Sequence, residues 1–99
     1  MQNYKNLRLN QSCVVEFLTE LVKFKNYNID CLEENTLQLV YINEETKKNS
    51  IVNIYFKKNK TVSFLTQGQD LTTADSIVQA IIDNAKNKFI TRNNMILAK

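Results

Sequence analysis

The hydrophobic positions follow two different periods along the chain, and the change of period predicts the order of secondary structure. Between residues 12 and 26, apolar side chains recur every three to four residues, as on one face of an α-helix. From residue 27 to 66, four short runs rich in β-branched and aromatic residues are separated by turns, which is typical of strands. After residue 71 the helical spacing returns, with Ala74, Ile77, Val78, Ile81, Ile82, Ala85 and Phe89.

A short segment near the N-terminus completes the predicted fold. YKNLRL, residues 4–9, alternates in character and predicts an edge strand. The predicted order is therefore β-α-β-β-β-β-α, an α+β fold in which two helices cover one face of a single antiparallel sheet of about five strands. We assign residues 1–90 to this domain and residues 91–99 to a tail or to the start of a following domain.

The two faces of the predicted sheet differ in composition. Side chains alternate along a strand, so one set from the run SIVNIYF faces the helices and the other faces outward. The set expected to face the helices is Val52, Ile54 and Phe56. The set expected on the open face, with its neighbours on adjacent strands, is Asn53, Tyr55, Gln38 and Ser63. This open face is either an ordinary solvated surface or a docking surface for a protein or nucleic acid.

The helix ends carry residue types that favour capping. Asn10 or Ser12 would cap the first helix, and Asn26 would end it in the left-handed conformation. Thr72 and Asp75 resemble a capping box at the start of the second helix. The first helix presents a broad apolar stripe of Val14, Val15, Phe17, Leu18, Leu21, Val22 and Phe24. We expect lysines in the last turn of each helix to complement the helix dipole, namely Lys23 and Lys25 in the first helix and Lys86 and Lys88 in the second.

Gly68 is the single glycine of the chain. It stands where the last strand must leave the sheet and turn into the second helix. Because glycine adopts a positive φ without steric cost, we interpret Gly68 as the corner between these two elements.

Composition and length indicate one folded domain and exclude several classes of site. The chain has 99 residues, 43% hydrophobic and 23% charged, which is ordinary for a globular protein. It lacks a leader and an apolar run of about 20 residues, so we expect a cytoplasmic protein without membrane contact. Cys13 and Cys31 are expected to be reduced core residues. The absence of histidine argues against histidine-dependent catalysis and zinc binding, and we predict no catalytic residue, metal or cofactor.

The densest basic cluster follows Tyr55 and consists of Lys57, Lys58 and Lys60. In one interpretation, these lysines contact phosphates while Tyr55 stacks on a base. In the other, they form a solvated hairpin turn that discourages edge-to-edge pairing. The net charge of +3 is mildly basic, so charge alone does not decide between the two.

A second candidate combines Asp30 with the segment Glu45-Thr46-Lys47. Two carboxylates and a lysine at this spacing occur in magnesium-dependent nucleases, where they bind the metal and activate water. Glu45 and Lys47 fall in a predicted turn, and so short a pattern arises easily by chance. We therefore interpret the segment as a solvated turn.

Short motifs through most of the chain resemble a known kind of accessory domain. They are YKNLRL, KNYNI, VNIYF and the stretch FKKNKTVSFLTQGQDL at residues 56–71. The element order is similar to the half-repeat of the TATA-box-binding protein fold. The motifs resemble the N-terminal domain of this fold in RNase LS toxins of toxin–antitoxin systems. They are also similar to the N-terminal domain of type-three bacterial ribonuclease H.

The resemblance implies a non-catalytic accessory domain of an endoribonuclease that acts in phage defence. Such a domain would position RNA, a cognate antitoxin or further domains of the same chain. The catalytic module of this toxin family uses an arginine and a histidine, and it would lie outside residues 1–99. The apolar residues of the tail, Met95, Ile96 and Leu97, are similar to the start of the family's second domain.

Two alternatives use the same fold without the toxin. One is a free-standing nucleic-acid-binding module that contacts its ligand through Tyr55, Lys57, Lys58 and Lys60. The other is a protein-interaction module that forms a homodimer or binds an antitoxin through the open sheet face.

Overall fold

The structure is a computed structural model that describes residues 3–97, with side chains described up to residue 85. The predicted order β-α-β-β-β-β-α and the α+β class are confirmed. The elements are β1 (Asn3–Leu7), α1 (Gln11–Leu21), β2 (Tyr27–Glu33), β3 (Thr36–Ile42), β4 (Asn49–Phe56), β5 (Val62–Gly68) and α2 (Leu71–Leu97).

The five strands form one antiparallel sheet in the order β1-β5-β4-β3-β2. Strands β2 to β5 are consecutive neighbours joined by short turns, because each strand run is followed by polar turn residues. The N-terminal strand β1 is an edge strand, as predicted, and it pairs with β5. Its ladder is interrupted between Tyr4 and Leu7, where Asn6 takes a positive φ of 54° and forms a bulge.

Both helices pack on the same face of the sheet and share one apolar core. The alternation predicted for β4 is confirmed, since Val52 and Ile54 are fully buried and Phe56 packs partly buried against them. The periodic set of α2 is buried as expected as far as Ala85. The core consists of Leu9, Cys13, Val14, Leu18, Leu39, Val52, Ile54, Val62, Phe64, Ala74, Ile77, Val78, Ile81, Ile82 and Ala85.

Helix α1 begins as predicted but ends early. The side chain of Asn10 accepts a hydrogen bond from the Cys13 backbone N–H at 3.1 Å, which makes Asn10 the N-cap. The helix ends at Leu21. The chain then turns, and the backbone N–H of Lys23 donates a hydrogen bond to the carbonyl of Glu20. Hydrogen bonds between residues three positions apart tighten the last turn of a helix, and the chain then leads into β2.

The early end of α1 overturns three expectations. The lysines Lys23 and Lys25 lie beyond the last turn, so they do not complement its dipole there. They form exposed ion pairs instead, Lys23 with Glu20 at 3.1 Å and Lys25 with Glu44 at 3.3 Å. Asn26 is not in the left-handed region and does not stop the helix.

The apolar stripe of α1 is narrower than predicted. Val15, Val22 and Phe24 are exposed, and Phe24 retains 65% of its accessible surface. The expectation of two core cysteines is correct for Cys13 and wrong for Cys31, which is exposed. Cys31 pairs in register with Leu37, but it lies on the edge strand β2, away from the centre of the helical layer.

Gly68 forms the predicted corner, and the geometry there excludes other residues. Its φ is +105°, a conformation that side-chain-bearing residues rarely adopt. A Cβ at this position would lie 2.9 Å from the backbone oxygen of Asn49. That oxygen also accepts the backbone N–H groups of Gln69 and Asp70, both at 3.0 Å, so the corner is closed against the start of β4.

The predicted capping box of α2 is wrong, because Asp70 rather than Thr72 caps the helix. Asp70 Oδ1 accepts the Thr73 backbone N–H at 3.1 Å. Asp75 lies beyond the first turn and is occupied elsewhere: its Oδ1 accepts from Tyr4 Oη at 3.4 Å and Thr66 Oγ1 at 3.2 Å. Burial, with the negative charge of Asp75, raises the pKa of Tyr4 above its ordinary value.

Several predictions concern residues outside the described part of the chain. The side chains of Lys86, Lys88, Phe89, Met95, Ile96 and Leu97 lie outside the described residues, and so do residues 98 and 99. The division between a domain of residues 1–90 and a tail of residues 91–99 stays a prediction. Within residues 3–97, no helix has the combined length and apolar character needed to cross a bilayer.

Candidate nucleic-acid interface on the open sheet face

The face of the sheet opposite the helices is defined by strand register. Gln38 of β3 pairs with Asn53 of β4, and Asn53 pairs with Leu65 of β5, so these three residues point to the same side. The residues that share this open face are Asn3, Lys5, Asn28, Asp30, Thr36, Gln38, Val40, Ile51, Asn53, Tyr55, Ser63, Leu65 and Gln67.

Three side-chain amides form a hydrogen-bonded row across the middle of the open face, which we call the amide row: Gln38, Asn53 and Gln67. Gln38 Nε2 donates to Asn53 Oδ1 at 3.0 Å. Asn53 Nδ2 donates to Gln67 Oε1 at 2.7 Å and to the Leu65 carbonyl at 3.5 Å. Each of the three central strands therefore contributes one amide, and the donors all point from β3 toward β5.

Asn53 is enclosed, although it lies on the face without helices. Only 4% of its surface is accessible, because its neighbours on β3 and β5 bond to it and Ile51 and Tyr55 flank it along β4. Ser63 is similarly enclosed, at 6%, and its hydroxyl accepts the backbone N–H of Asn6 at 2.9 Å. Hydrogen bonds in such shielded positions are stronger than those exposed to water. Both residues are on the predicted face, but their polar groups are already paired.

Tyr55 and Lys57 meet beside the amide row, at the end of β4. The Lys57 ammonium lies 5.8 Å from the centroid of the Tyr55 ring, within the range of a cation–π contact. Tyr55 is half-buried between Thr36 and Ser63 in the register of the sheet. The sheet therefore presents an aromatic ring and a cation side by side, the two groups expected for base stacking and phosphate contact.

The turn from Lys57 to Thr61 positions the other two lysines of the basic cluster. Two backbone hydrogen bonds close the turn. The N–H of Lys57 donates to the Thr61 carbonyl at 2.9 Å, and the N–H of Lys60 donates to the Lys57 carbonyl at 3.1 Å. Lys60 takes a positive φ of 68°. Gln11 Nε2 donates to the carbonyls of Lys57 and Thr61 and so ties the turn to α1. Lys58 and Lys60 are exposed on this fixed turn.

The structure separates the residues of the nuclease-like pattern among different elements. Asp30 lies within β2 on the open face, opposite Gln38. Glu45 and Lys47 lie in the turn between β3 and β4, as predicted. In the part of the chain with described side chains, no group of three or more cysteine, aspartate or glutamate residues gathers closely enough to hold a metal ion.

Sequence reasoning missed most residues of this face, among them Lys5, Leu65 and Gln67. The alternation in the run VSFLTQG contains the signal for two of them, since Val62, Phe64 and Thr66 face the core. The bond from Asn53 to Gln67 runs diagonally between strands. It depends on the register between β4 and β5, which the alternation alone does not determine.

No family model, curated protein or solved structure matches this chain. The features of the open face that bear on function are the amide row, the Tyr55–Lys57 pair and the basic turn beside them.

Proposed function

We propose that this chain is a non-catalytic accessory domain that binds single-stranded RNA on its open sheet face. The observation that carries the proposal is the Tyr55–Lys57 pair, in which an aromatic ring and an ammonium group lie 5.8 Å apart on a face without helices. Proteins that bind single strands recurrently use an aromatic ring on which a base stacks and a cation that binds a phosphate.

The neighbouring groups extend this pair into a surface. Lys58 and Lys60 stand on the adjoining turn, and Lys5 lies on the open side of β1. By contrast, the segment from residue 61 to 85, which forms β5 and the described part of α2, carries Asp70, Asp75 and Asp83 and no basic residue. A nucleic acid is therefore attracted more strongly to the turn and the open face than to this acidic segment.

The resemblance to accessory domains of RNase LS toxins supports the same proposal and gives it a context. In that context the domain positions RNA for a nuclease module elsewhere in a phage-defence toxin. We place the protein in the cytoplasm, because a free, exposed thiol such as that of Cys31 persists in a reducing compartment.

The test compares two lysines that are matched in backbone and exposure. Lys60 and Lys47 both take a positive φ, 68° and 63°, and both are exposed in turns at opposite ends of β4. Asparagine tolerates this conformation, so Lys60→Asn and Lys47→Asn remove the same charge without strain. Fluorescence anisotropy of the full chain with a labelled single-stranded RNA of about ten nucleotides, at several salt concentrations, measures the effect.

We expect Lys60→Asn to weaken binding and to lower the slope of log affinity against log salt by about 0.7, the value for one phosphate contact on a single strand. Lys47→Asn should change neither quantity comparably. Equal effects of the two variants would show that only overall charge matters. If the chain does not bind RNA but self-associates through the open face, it is a protein-interaction module and the proposal is wrong.

A further inference from the structure

The two edge strands of the sheet, β1 and β2, are protected from other strands to different degrees. Strand β1 carries Lys5 and a bulge at Asn6, which takes a positive φ of 54°. A lysine and a bulge both discourage pairing with a further strand. Strand β2 contains neither lysine nor proline, and its ladder with β3 runs without interruption from Tyr27 to Cys31. Strand β2 is therefore the edge at which another strand can be added.

The direction of the backbone groups of β2 follows from its first bond to β3. The N–H of Ile42 donates to the carbonyl of Asn26 at 3.1 Å. Backbone groups alternate in direction along an antiparallel strand, so every second residue from Asn26 onward bonds to β3. The residues between them, Ile29 and Cys31, direct their N–H and C=O groups away from the sheet, and Tyr27 directs its carbonyl the same way. These groups present the hydrogen-bonding pattern that another strand requires.

Strand β2 is complementary to itself when two copies run antiparallel with Ile29 at the centre. Ile29 then lies opposite Ile29 of the second copy, and Tyr27 lies opposite Cys31. Tyr27 and Ile29 lie on the face that packs against the apolar core, so side chains of similar character meet on the helical side. On the open side Asn28 lies opposite Asp30, and the Asn28 amide can donate to the Asp30 carboxylate. The outward N–H of Cys31 meets the outward carbonyl of Tyr27.

Neighbouring registers are less favourable. Ile29 is the middle of the uninterrupted stretch from Tyr27 to Cys31, so this register pairs the whole stretch. Moving the centre to Asn28 shortens the pairing. Moving the centre to Asp30 places two carboxylates directly opposite each other, which is destabilising.

Exposed apolar side chains lie beside the edge that this register joins. Phe24 is 65% exposed and Leu32 is 52% exposed. The Tyr27 N–H donates to the Phe24 carbonyl at 3.3 Å, and Leu32 directly follows Cys31. Because Tyr27 lies opposite Cys31 in this register, Phe24 of one copy and Leu32 of the other come to the same end of the joint. Removing these side chains from water favours association.

We propose that two copies of this chain associate by antiparallel pairing of their β2 strands, with Ile29 at the centre, and form one continuous sheet. The two copies are related by a two-fold axis, as in most homodimers. The axis is perpendicular to the sheet, so the helices of both copies stay on one side and both open faces stay uncovered on the other. The association therefore goes beyond the proposed RNA binding and does not depend on it.

The experiment measures self-association of the full chain by sedimentation velocity without RNA, over a wide range of protein concentration. We expect a reversible equilibrium between monomer and dimer. Asn28→Asp places a carboxylate opposite Asp30 in both symmetry-related pairs and should raise the dissociation constant about tenfold. In the single chain Asn28 is exposed, so this substitution acts on the association and not on the fold.

A second substitution in the same chain separates position from overall charge. Asn28→Asp combined with Asp30→Asn exchanges the two residues and restores one carboxylate and one amide in each pair. This variant should return the dissociation constant to within about twofold of the wild type. Asn28→Asp combined with Glu45→Gln restores the net charge in the far turn and should remain as weak as Asn28→Asp alone.

Amide hydrogen exchange followed by NMR locates the interface. At concentrations where the dimer forms, we expect the N–H groups of Ile29 and Cys31 to exchange more slowly than in the monomer, because they become hydrogen-bonded. Association through the open face would leave the exchange of these two amides unchanged and would overturn the proposal. So would a chain that remains monomeric up to near-millimolar concentration, or a residue exchange at positions 28 and 30 that fails to restore association.

Discussion

The two faces of β4 enclose their side chains by different means. On the covered face, Val52 and Ile54 have no accessible surface because two helices pack over them. On the open face, Asn53 is almost as enclosed although both helices lie on the other side. Its shielding comes from hydrogen-bonded neighbours within the sheet. Low exposure in the middle of β4 therefore marks two kinds of position, an apolar core and a polar row.

The difference bears on function because the two kinds of burial respond differently to a ligand. Apolar packing under the helices cannot be opened without exposing the core to water, which is costly. The amide row leaves Gln38 Oε1 and one Gln38 Nε2 hydrogen unused within the row, so a ligand can add a bond without breaking the sheet. We expect mutations on the covered face to affect stability foremost, and mutations at the rim of the open face to affect binding foremost.

The largest expected effect is a loss of stability on the covered face. Ile54→Ala removes a fully buried side chain and leaves a cavity, which should reduce the free energy of unfolding by about 2–5 kcal/mol. Chemical denaturation followed by circular dichroism measures the loss. For a domain of this size such a loss is a large share of the total stability.

Ile51→Ala is the matched control, because Ile51 is the same residue type on the open face of the same strand. It is only half-buried, so we expect a loss of about 1 kcal/mol or less. Equal losses for Ile51→Ala and Ile54→Ala would contradict the distinction between a covered and an open face.

A smaller effect should follow from breaking the amide row. Asn53→Leu removes the hydrogen bonds to Gln38, Gln67 and Leu65 at similar side-chain volume, and we expect a loss of about 1–2 kcal/mol. Asn28→Leu, an exposed asparagine on the same face at β2, should change the free energy of unfolding by less than about 0.5 kcal/mol. If Asn53→Leu were neutral, the row would contribute no net stability.

The periodic features of this fold could be predicted because they depend on local sequence. The side of β4 that holds Val52 and Ile54 follows from alternation, and the corner at Gly68 follows from the conformational freedom of glycine. The same alternation puts Tyr55 on the open face, and Lys57 follows in the turn after β4. Their functional role stays a prediction.

The features that sequence reasoning missed depend on contacts between distant segments. Asp75 accepts from Tyr4, 71 residues earlier, so it is not available for the capping box that local spacing suggested. The bond between Asn53 and Gln67 requires the register of two strands. Cys31 was expected in the core, but it is exposed, toward the far end of the edge strand β2 from Tyr27 and Ile29, which pack against the core.

The smallest effect concerns the cap that holds α2 over the covered face. Hydrogen bonds from the Thr73 hydroxyl and backbone N–H, and to a lesser extent the charge of Lys48, lower the pKa of Asp70 below its ordinary 3.8. Because the folded-state pKa is the lower one, this contribution is complete above the unfolded-state value and is lost as the pH falls through the folded-state value. The side chains of the amide row do not titrate. The pH dependence of stability that arises from this cap therefore comes from the covered side of the sheet.

Asp70→Asn keeps a capping side chain and removes the charge, so it isolates the titration. We expect the variant to have a lower Tm than the wild type near pH 6, with the difference shrinking as the pH falls through the folded-state pKa of Asp70 and its carboxylate becomes neutral. Thr73→Val removes the hydroxyl that makes the larger contribution and should reduce the pH dependence without abolishing it, because the backbone N–H still donates. A Tm difference between wild type and Asp70→Asn that stays constant over this range would mean that the cap acts through its geometry and not through its charge.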